Sequence, residues 1–215
     1  MGPGSRGSER PSAFASDGGA DVSKGTGERG TVLVADDDEA LAETVDIWLG
    51  ESWDTVFAHD GDAAVEAFGP RVDVALLDRR MPTRPGGEVL GELRECEGDA
   101  PVAIVTAVAA DWEAVELPFD LYLEKPVDRA ELVGAVERLY ARTECSPTVR
   151  TLLSVAAKLG ALRARYPLED LRVDERYGRL RAEFDRLYRR SGSDLPELAS
   201  DDADLLARLV DDPPR

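Results

Sequence analysis

The chain has 215 residues with 44 Asp/Glu against 26 Lys/Arg; residues 30–145 hold 27 acids and 9 bases and so carry all of the net charge of −18. A unit that acidic repels nucleic acid and anionic lipid, so neither docks there. His59 is the sole histidine and Cys96 and Cys145 the sole cysteines, which excludes His-based metal sites, Ser- or Cys-centred triads and a disulfide framework.

Residues 1–29 are Gly/Ser-rich with few apolar positions, and a disordered tail is expected there. No run approaches the ~20 apolar residues that cross a bilayer, and no h-region opens the chain, so a protein without a membrane partner, in the cytoplasm, is expected.

Thereafter strand and helix patterns alternate. Val32–Ala35 reads as a buried strand, followed at once by Asp36, Asp37, Asp38 and Glu39. Like charges ~4 Å apart cost roughly 4 kcal/mol each at an effective dielectric of ~20, so these acids face water or surround a cation. Asp38 is placed to cap a helix over 38–49, where Leu41, Val45, Trp48 and Leu49 recur at helical spacing before Gly50. Strands follow at 54–59, 72–78, 101–106 and 120–124. Helices are expected at 61–68, about 88–96, within 108–116, and at 128–142, where Asp128 and Glu131 form a capping-box pattern. Five βα units with short loops predict a doubly wound parallel sheet, with ligands beyond the C-terminal ends of the strands. Those ends carry Asp36-Asp37, Asp78, Thr106 and Lys125: three carboxylates, a hydroxyl and an ammonium on one rim.

The segments "VADDDE" (34–39), "LLDRRMP" (76–82), "VTA" (105–107) and "YLEKP" (122–126) occur in order at strand ends. With them the chain resembles a two-component response-regulator receiver domain over residues 30–143. The resemblance implies a flavodoxin/CheY-like fold, phosphorylation of Asp78 by a sensor histidine kinase, and Mg²⁺ held by Asp36, Asp37, Asp78 and the backbone carbonyl of Arg80. It further implies that Thr106, Ala107 and Lys125 receive the phosphoryl group, that Thr106 and Tyr122 form a switch, and that Lys125-Pro126 is cis. Taken alone, Tyr122 reads as core filler, Thr106 as an ordinary strand residue, and Arg79 and Arg80 as solvated. Only 18 residues separate Thr106 from Lys125, so the fourth helix must be short. Pro85 in "MPTRPGG" stands where the family commonly has an acid, while Gly86 permits the turn.

The segment "TECSPT" (143–148) ends the fifth helix, and residues 144–149 read as a linker. Beyond it, Leu152, Val155, Leu159, Leu162 and Tyr166 form one heptad seam, and Tyr177, Leu180, Phe184 and Leu187 another. A turn over 167–174 predicts a small all-α antiparallel hairpin in 150–215, with a last helix at "DDADLLARLV" that caps it or dangles. Arg176, Arg179, Arg181, Arg186, Arg189 and Arg190 form either a phosphate-binding face or, as favoured, a solvated surface paired with Asp170, Asp174, Glu175, Glu183 and Asp185. Residues 152–187 resemble the HalX domain appended to haloarchaeal receivers, which agrees with high acidity and only three lysines against 23 arginines.

The chain thus reads as a response regulator whose helical domain exchanges partners, among them a second copy, and not as an enzyme with a separate substrate. The alternatives are a DNA-binding transcriptional regulator acting through the arginine-rich hairpin, and a stand-alone phosphate sink. Nucleic acid is the lesser partner, because each neutralised phosphate steepens the loss of affinity in high salt.

Overall fold

The computed structural model describes residues 29–96, 99–192, 195 and 198–211. Apart from residue 29, the expected N-terminal tail lies outside the described residues. Five parallel strands, β1 (Thr31–Ala35), β2 (Asp54–Ala58), β3 (Val74–Leu77), β4 (Val102–Thr106) and β5 (Leu121–Glu124), stand in the order β2-β1-β3-β4-β5. Helices α1 (Glu39–Leu49), α2 (Gly61–Ala67), α3 (Gly86–Leu93), α4 (Trp112–Glu116) and α5 (Arg129–Arg142) connect and cover them. This is the doubly wound sheet expected from the alternation.

Alternate residues of β1 supply opposite cores, as a pleated strand demands. Leu33 and Ala35 pack with Leu77, Val89, Leu90, Ile104 and Phe119, while Val32 and Val34 pack with Val45, Leu49, Leu132 and Val136. Each fully buried aliphatic side chain contributes roughly 1.5–3 kcal/mol, so the central strands need no polar help to sit between two helix layers. Asp128 and Glu131 complete the reciprocal capping box of α5.

The C-terminal part differs from the expected plan at two places and decides an open choice at a third. Helix α6 (Pro147–Arg165) begins inside the stretch 144–149 read as a linker. The Ser146 hydroxyl accepts the Val149 N–H, and Pro147, which has no N–H to orphan, occupies the first turn. A sequence read as a helix breaker is therefore a helix start. The turn over 167–174 contains a short helix, α7 (Leu168–Val173), before α8 (Glu175–Ser191). The last helix, α9 (Ser200–Val210), caps the unit: Leu206 and Leu209 enter the core with Leu159, Leu162, Phe184 and Leu187. Arg163 near the end of α6 donates to the Tyr177 hydroxyl near the start of α8 at 2.7 Å, in keeping with an antiparallel pair.

The helical unit also packs on the sheet unit. Ser154 of α6 donates its hydroxyl proton to the Phe119 carbonyl at 2.6 Å. Arg142 of α5 bonds both oxygens of Asp202 on α9, at 2.9 and 2.6 Å, and both residues are buried. No helix among the described residues is long and apolar enough to cross a membrane.

Candidate functional site

Parallel pairing brings the C-terminal ends of β1, β3, β4 and β5 to one rim. The main chain continues the ladder past the strands and fixes the residues that follow them. Asp36 N–H donates to the Ala58 carbonyl at 3.0 Å, Asp78 N–H to Ala35 at 2.8 Å, and Lys125 N–H to Thr106 at 2.8 Å. The backbone therefore forces carboxylates together that would otherwise separate.

Lys125 lies between two of them. Its Nζ donates to Oδ2 of Asp36 at 2.6 Å and to Oδ2 of Asp78 at 2.7 Å. The remaining oxygens take backbone donors: Asp36 Oδ1 accepts Asp38 N–H at 3.0 Å, and Asp78 Oδ1 accepts Arg80 N–H at 2.9 Å. Burial pushes the Asp36 carboxyl up from its ordinary 3.8, against the hydrogen bond from Lys125 that lowers it. Burial also works against the Lys125 ammonium, but hydrogen bonds to Asp36 and Asp78 outweigh it and leave its pKa raised. One ammonium has not neutralised this site.

Asp37 is exposed at the rim, yet one oxygen each from Asp36, Asp37 and Asp78 lie within 4.8 Å of one another. Three carboxylates less one ammonium leave about −2, a charge and donor set that suit a hard divalent cation binding through oxygen. The run of acids after β1 therefore divides its work. Asp36 and Asp37 join Asp78, whereas Asp38 turns away and caps α1, accepting the N–H groups of Ala40 and Leu41.

Thr106 is buried at the end of β4, and its Oγ1 accepts the Val108 N–H at 3.4 Å. Ala107 follows it, exposed at the rim. Tyr122 is half-buried on β5 and donates its hydroxyl proton to the Val108 carbonyl. Burial, opposed by a hydrogen bond with Arg79, raises its phenol above 10.0. The peptide bond Lys125-Pro126 is cis. All eight expected positions thus gather at one end of the sheet; Arg80 donates its N–H to Asp78 while its side chain is exposed.

One expectation about the arginines changes and another is largely met. Arg79 is not solvated: it pairs with Asp111 at 3.3 Å and Glu113 at 3.4 Å, a partnership across 32 residues that no local pattern announces. The α8 arginines pair with Asp174, Glu183 and Asp185 as the favoured reading expected, except that Arg181 is not at the surface. Arg181 is buried, donating to the Leu209 carbonyl and pairing with Asp185 at 2.9 Å. Arg176 holds Asp174, and Arg186 lies 3.6 Å from Glu183. Arg179, Arg189 and Arg190 remain exposed.

The fold and the rim define a doubly wound α/β domain with an acidic cluster at its strand ends and a helical appendage. Residues 32–137 match the response regulator receiver domain family, and residues 141–209 match the HalX domain family. The chain belongs to the response-regulator receiver family and carries a HalX domain. A Haloferax volcanii protein named "Putative transcriptional regulator" is 43% identical over 155 residues, which is 72% of this chain and 26% of that protein. The transcriptional regulatory protein CpxR of Klebsiella pneumoniae is 34% identical over 124 residues, 56% of this chain and 53% of that protein. The chain therefore spans only part of the length of these curated relatives. A CheY-like receiver domain protein from Methanospirillum hungatei shares the fold at a TM-score of 0.51 and 21% identity, over 54% of this chain and 98% of that one.

Proposed function

We propose that this protein is the response regulator of a two-component phosphorelay, and that Asp78 accepts the phosphoryl group. The observation that carries the reading is a buried Asp78 carboxylate held at 2.7 Å by Lys125, with oxygens of Asp36 and Asp37 close enough to share one ion with it. Asp36, Asp37, Asp78 and the Arg80 carbonyl would hold Mg²⁺, which would supply the positive charge that phosphoryl oxygens require.

The Asp78 carboxylate attacks phosphorus in a phosphohistidine of a sensor kinase, or in a small acyl phosphate. An O–P bond forms to Asp78 as the bond from phosphorus to the donor's nitrogen or oxygen breaks. Lys125 turns from the carboxylates to a phosphoryl oxygen, and the Thr106 hydroxyl donates to another. Exposed, small Ala107 leaves the approach open. Tyr122, bonded to the same loop as Thr106, follows its movement. The phosphorylated domain then changes what the HalX domain binds, with a second copy as one partner. The protein acts in the cytoplasm and on no separate substrate.

Incubation with a small acyl phosphate and Mg²⁺ is expected to add the mass of one phosphoryl group to the intact protein. Chelation of Mg²⁺ or Asp78→Ala should abolish the addition; a label that survives either contradicts the reading.

A second reading has its own support. The Haloferax relative's name and the exposed Arg179, Arg189 and Arg190 favour a regulator that reaches DNA through α8. Unchanged DNA retention after Arg179→Ser, Arg189→Ser and Arg190→Ser together removes it. If the cell's response survives deletion of the HalX domain, the domain is passive and the protein a phosphate sink.

A further inference from the structure

In a chain with 23 arginines and only three lysines, two of the lysines lie among the described residues, and their surroundings are opposite. Lys125 donates to two carboxylates, which hold its proton. Lys158 lies on α6 with its Nζ 5.4 Å from the centroid of the Phe119 ring. Among the described residues no carboxylate hydrogen-bonds it; Asp120 and Glu183 act on it only through space. A ring face attracts a cation weakly and cannot satisfy three N–H donors. Burial therefore prevails and pushes the Lys158 amine below its ordinary 10.5; Asp120 and Glu183 oppose without reversing it, and Arg94 adds to it.

Half-buried Lys158 lines a cleft of about 390 Å³, within the size range of small-molecule sites. Its walls include α6, α8 and the residues just before β4 and β5, Pro101 and Asp120, so it lies at the far end of the strands from Asp78. The charged residues on those walls are Arg94, Arg150 and Lys158 against Asp99, Asp120 and Glu183. Asp120 holds Arg94 and Asp99 holds Arg150, each at 2.5 Å, so the lysine is the cation without an ion pair of its own. The cleft is thus locally neutral in a chain of net charge −18, and a small anion that the acidic surface elsewhere repels can enter it.

We propose that Lys158 is a site of covalent N-acylation by small acyl phosphates, entered through this cleft. The inference goes beyond the phosphoacceptor reading and needs nothing from Asp78. The ammonium first loses a proton to water. The neutral Nζ then attacks the carbonyl carbon of the reagent, and a C–N bond forms. The bond from that carbon to the phosphate oxygen breaks, its electron pair leaves with phosphate, and the surplus proton on nitrogen leaves on the same phosphate. An amide replaces the amine, and the charge that faced Asp120 and Glu183 is lost. Lys125 is spared, because its hydrogen bonds to Asp36 and Asp78 outweigh burial and keep it protonated. An arginine at 158 could not react this way, since a guanidinium does not give up its proton. One class of reagent thus meets two nucleophiles in this chain, a carboxylate at phosphorus and an amine at carbon.

The test is timed labelling of the full chain with acetyl phosphate at mildly alkaline pH, with peptide mapping of acetyl groups at Lys24, Lys125 and Lys158. Lys158 is expected to be acetylated about threefold faster than Lys24, and Lys125 more slowly than either. The preference should vanish in urea, where the fold no longer sets the lysines apart. Lys158→Arg should lose the label at that position, and folded Asp78→Ala should keep it. Acetylation of Lys158 no faster than that of Lys24, or a preference that persists in urea, overturns the assignment. Loss of the Lys158 label in folded Asp78→Ala overturns it too, because the acyl group then arrives by way of Asp78. Phosphoryl transfer is read separately, by its different mass on the Asp78 peptide, so failure of one reading is distinguished from failure of the other.

Discussion

Lys125 holds two carboxylates with one ammonium, so its loss is felt at both. Lys125→Met leaves Asp36 and Asp78 facing each other half-desolvated, and should destabilise the Mg²⁺-free protein by about 2–3 kcal/mol, somewhat under a fully buried pair because the lysine keeps some water. Saturating Mg²⁺ should restore most of that loss in urea unfolding. Asp36→Asn should do the reverse, stabilising the metal-free protein and weakening the gain from Mg²⁺. The pH dependence follows from the same burial. The native state holds the Asp36 proton more tightly than the unfolded chain, so this group's contribution to metal-free stability falls as pH rises from 3.8 through its raised value. The Lys125 contribution has the same sign in a higher window: it is present below 10.5 and is lost as pH rises through its raised value. Asp36, Asp37, Asp78, Thr106 and Lys125 were legible in the sequence because strand ends of a doubly wound sheet converge by topology alone. Arg79 was not, because its partners Asp111 and Glu113 reach it only through the fold.

Among the elements, the start of α3 is the most constrained next to the site. The Gly86 N–H donates to the Arg79 carbonyl at 2.9 Å, and a Cβ on Gly86 would meet the Asp78 carbonyl oxygen and the Arg79 Cα. The glycine is required for close approach to the backbone of Asp78 and Arg79, beyond the turn for which its sequence position suggests it. Gly86→Ala should destabilise by about 1–3 kcal/mol. Because it displaces Asp78 itself, phosphorylation should slow by up to about 100-fold, read as the initial rate with an acyl phosphate. Element types were legible wherever periodicity was long: β1, α5 and both heptad seams stand where the pattern put them. Boundaries failed where one residue type serves two purposes. Pro147 after Ser146 looks like punctuation but opens α6, and the turn between the seams was long enough to wind into α7. The shortness of α4 followed from chain length, but its attachment to the HalX domain did not, since Trp112 has no periodic partner to betray it.

At the scale of the molecule, the two units are joined through charge buried between them. Asp202 is 1% exposed and faces Arg142 at 2% exposed, so neither has water to fall back on. Asp202→Ala strands a buried guanidinium and should cost about 3–5 kcal/mol in global or subglobal unfolding. Burial alone would raise the Asp202 carboxyl; Arg142 and Arg138 together hold it below 3.8. The unfolded chain thus binds this proton more readily, and the pair's contribution is intact above 3.8 and lost as pH falls through the lowered value. Limited proteolysis along an acid titration should accordingly release α9 before the sheet unit opens. The sequence suggested that this last helix caps or dangles. What decides it is an aspartate on α9 and an arginine on α5, 60 residues apart, each ordinary in its own helix.

The most direct test of the central claim is to locate the phosphoryl group. After reaction with a small acyl phosphate in Mg²⁺, reduction with borohydride converts an aspartyl phosphate into a stable, identifiable residue. Peptide mapping should find that change at Asp78 alone, and nowhere when Mg²⁺ is chelated. Modification at another carboxylate, or an unmodified Asp78 in Mg²⁺, would contradict the account.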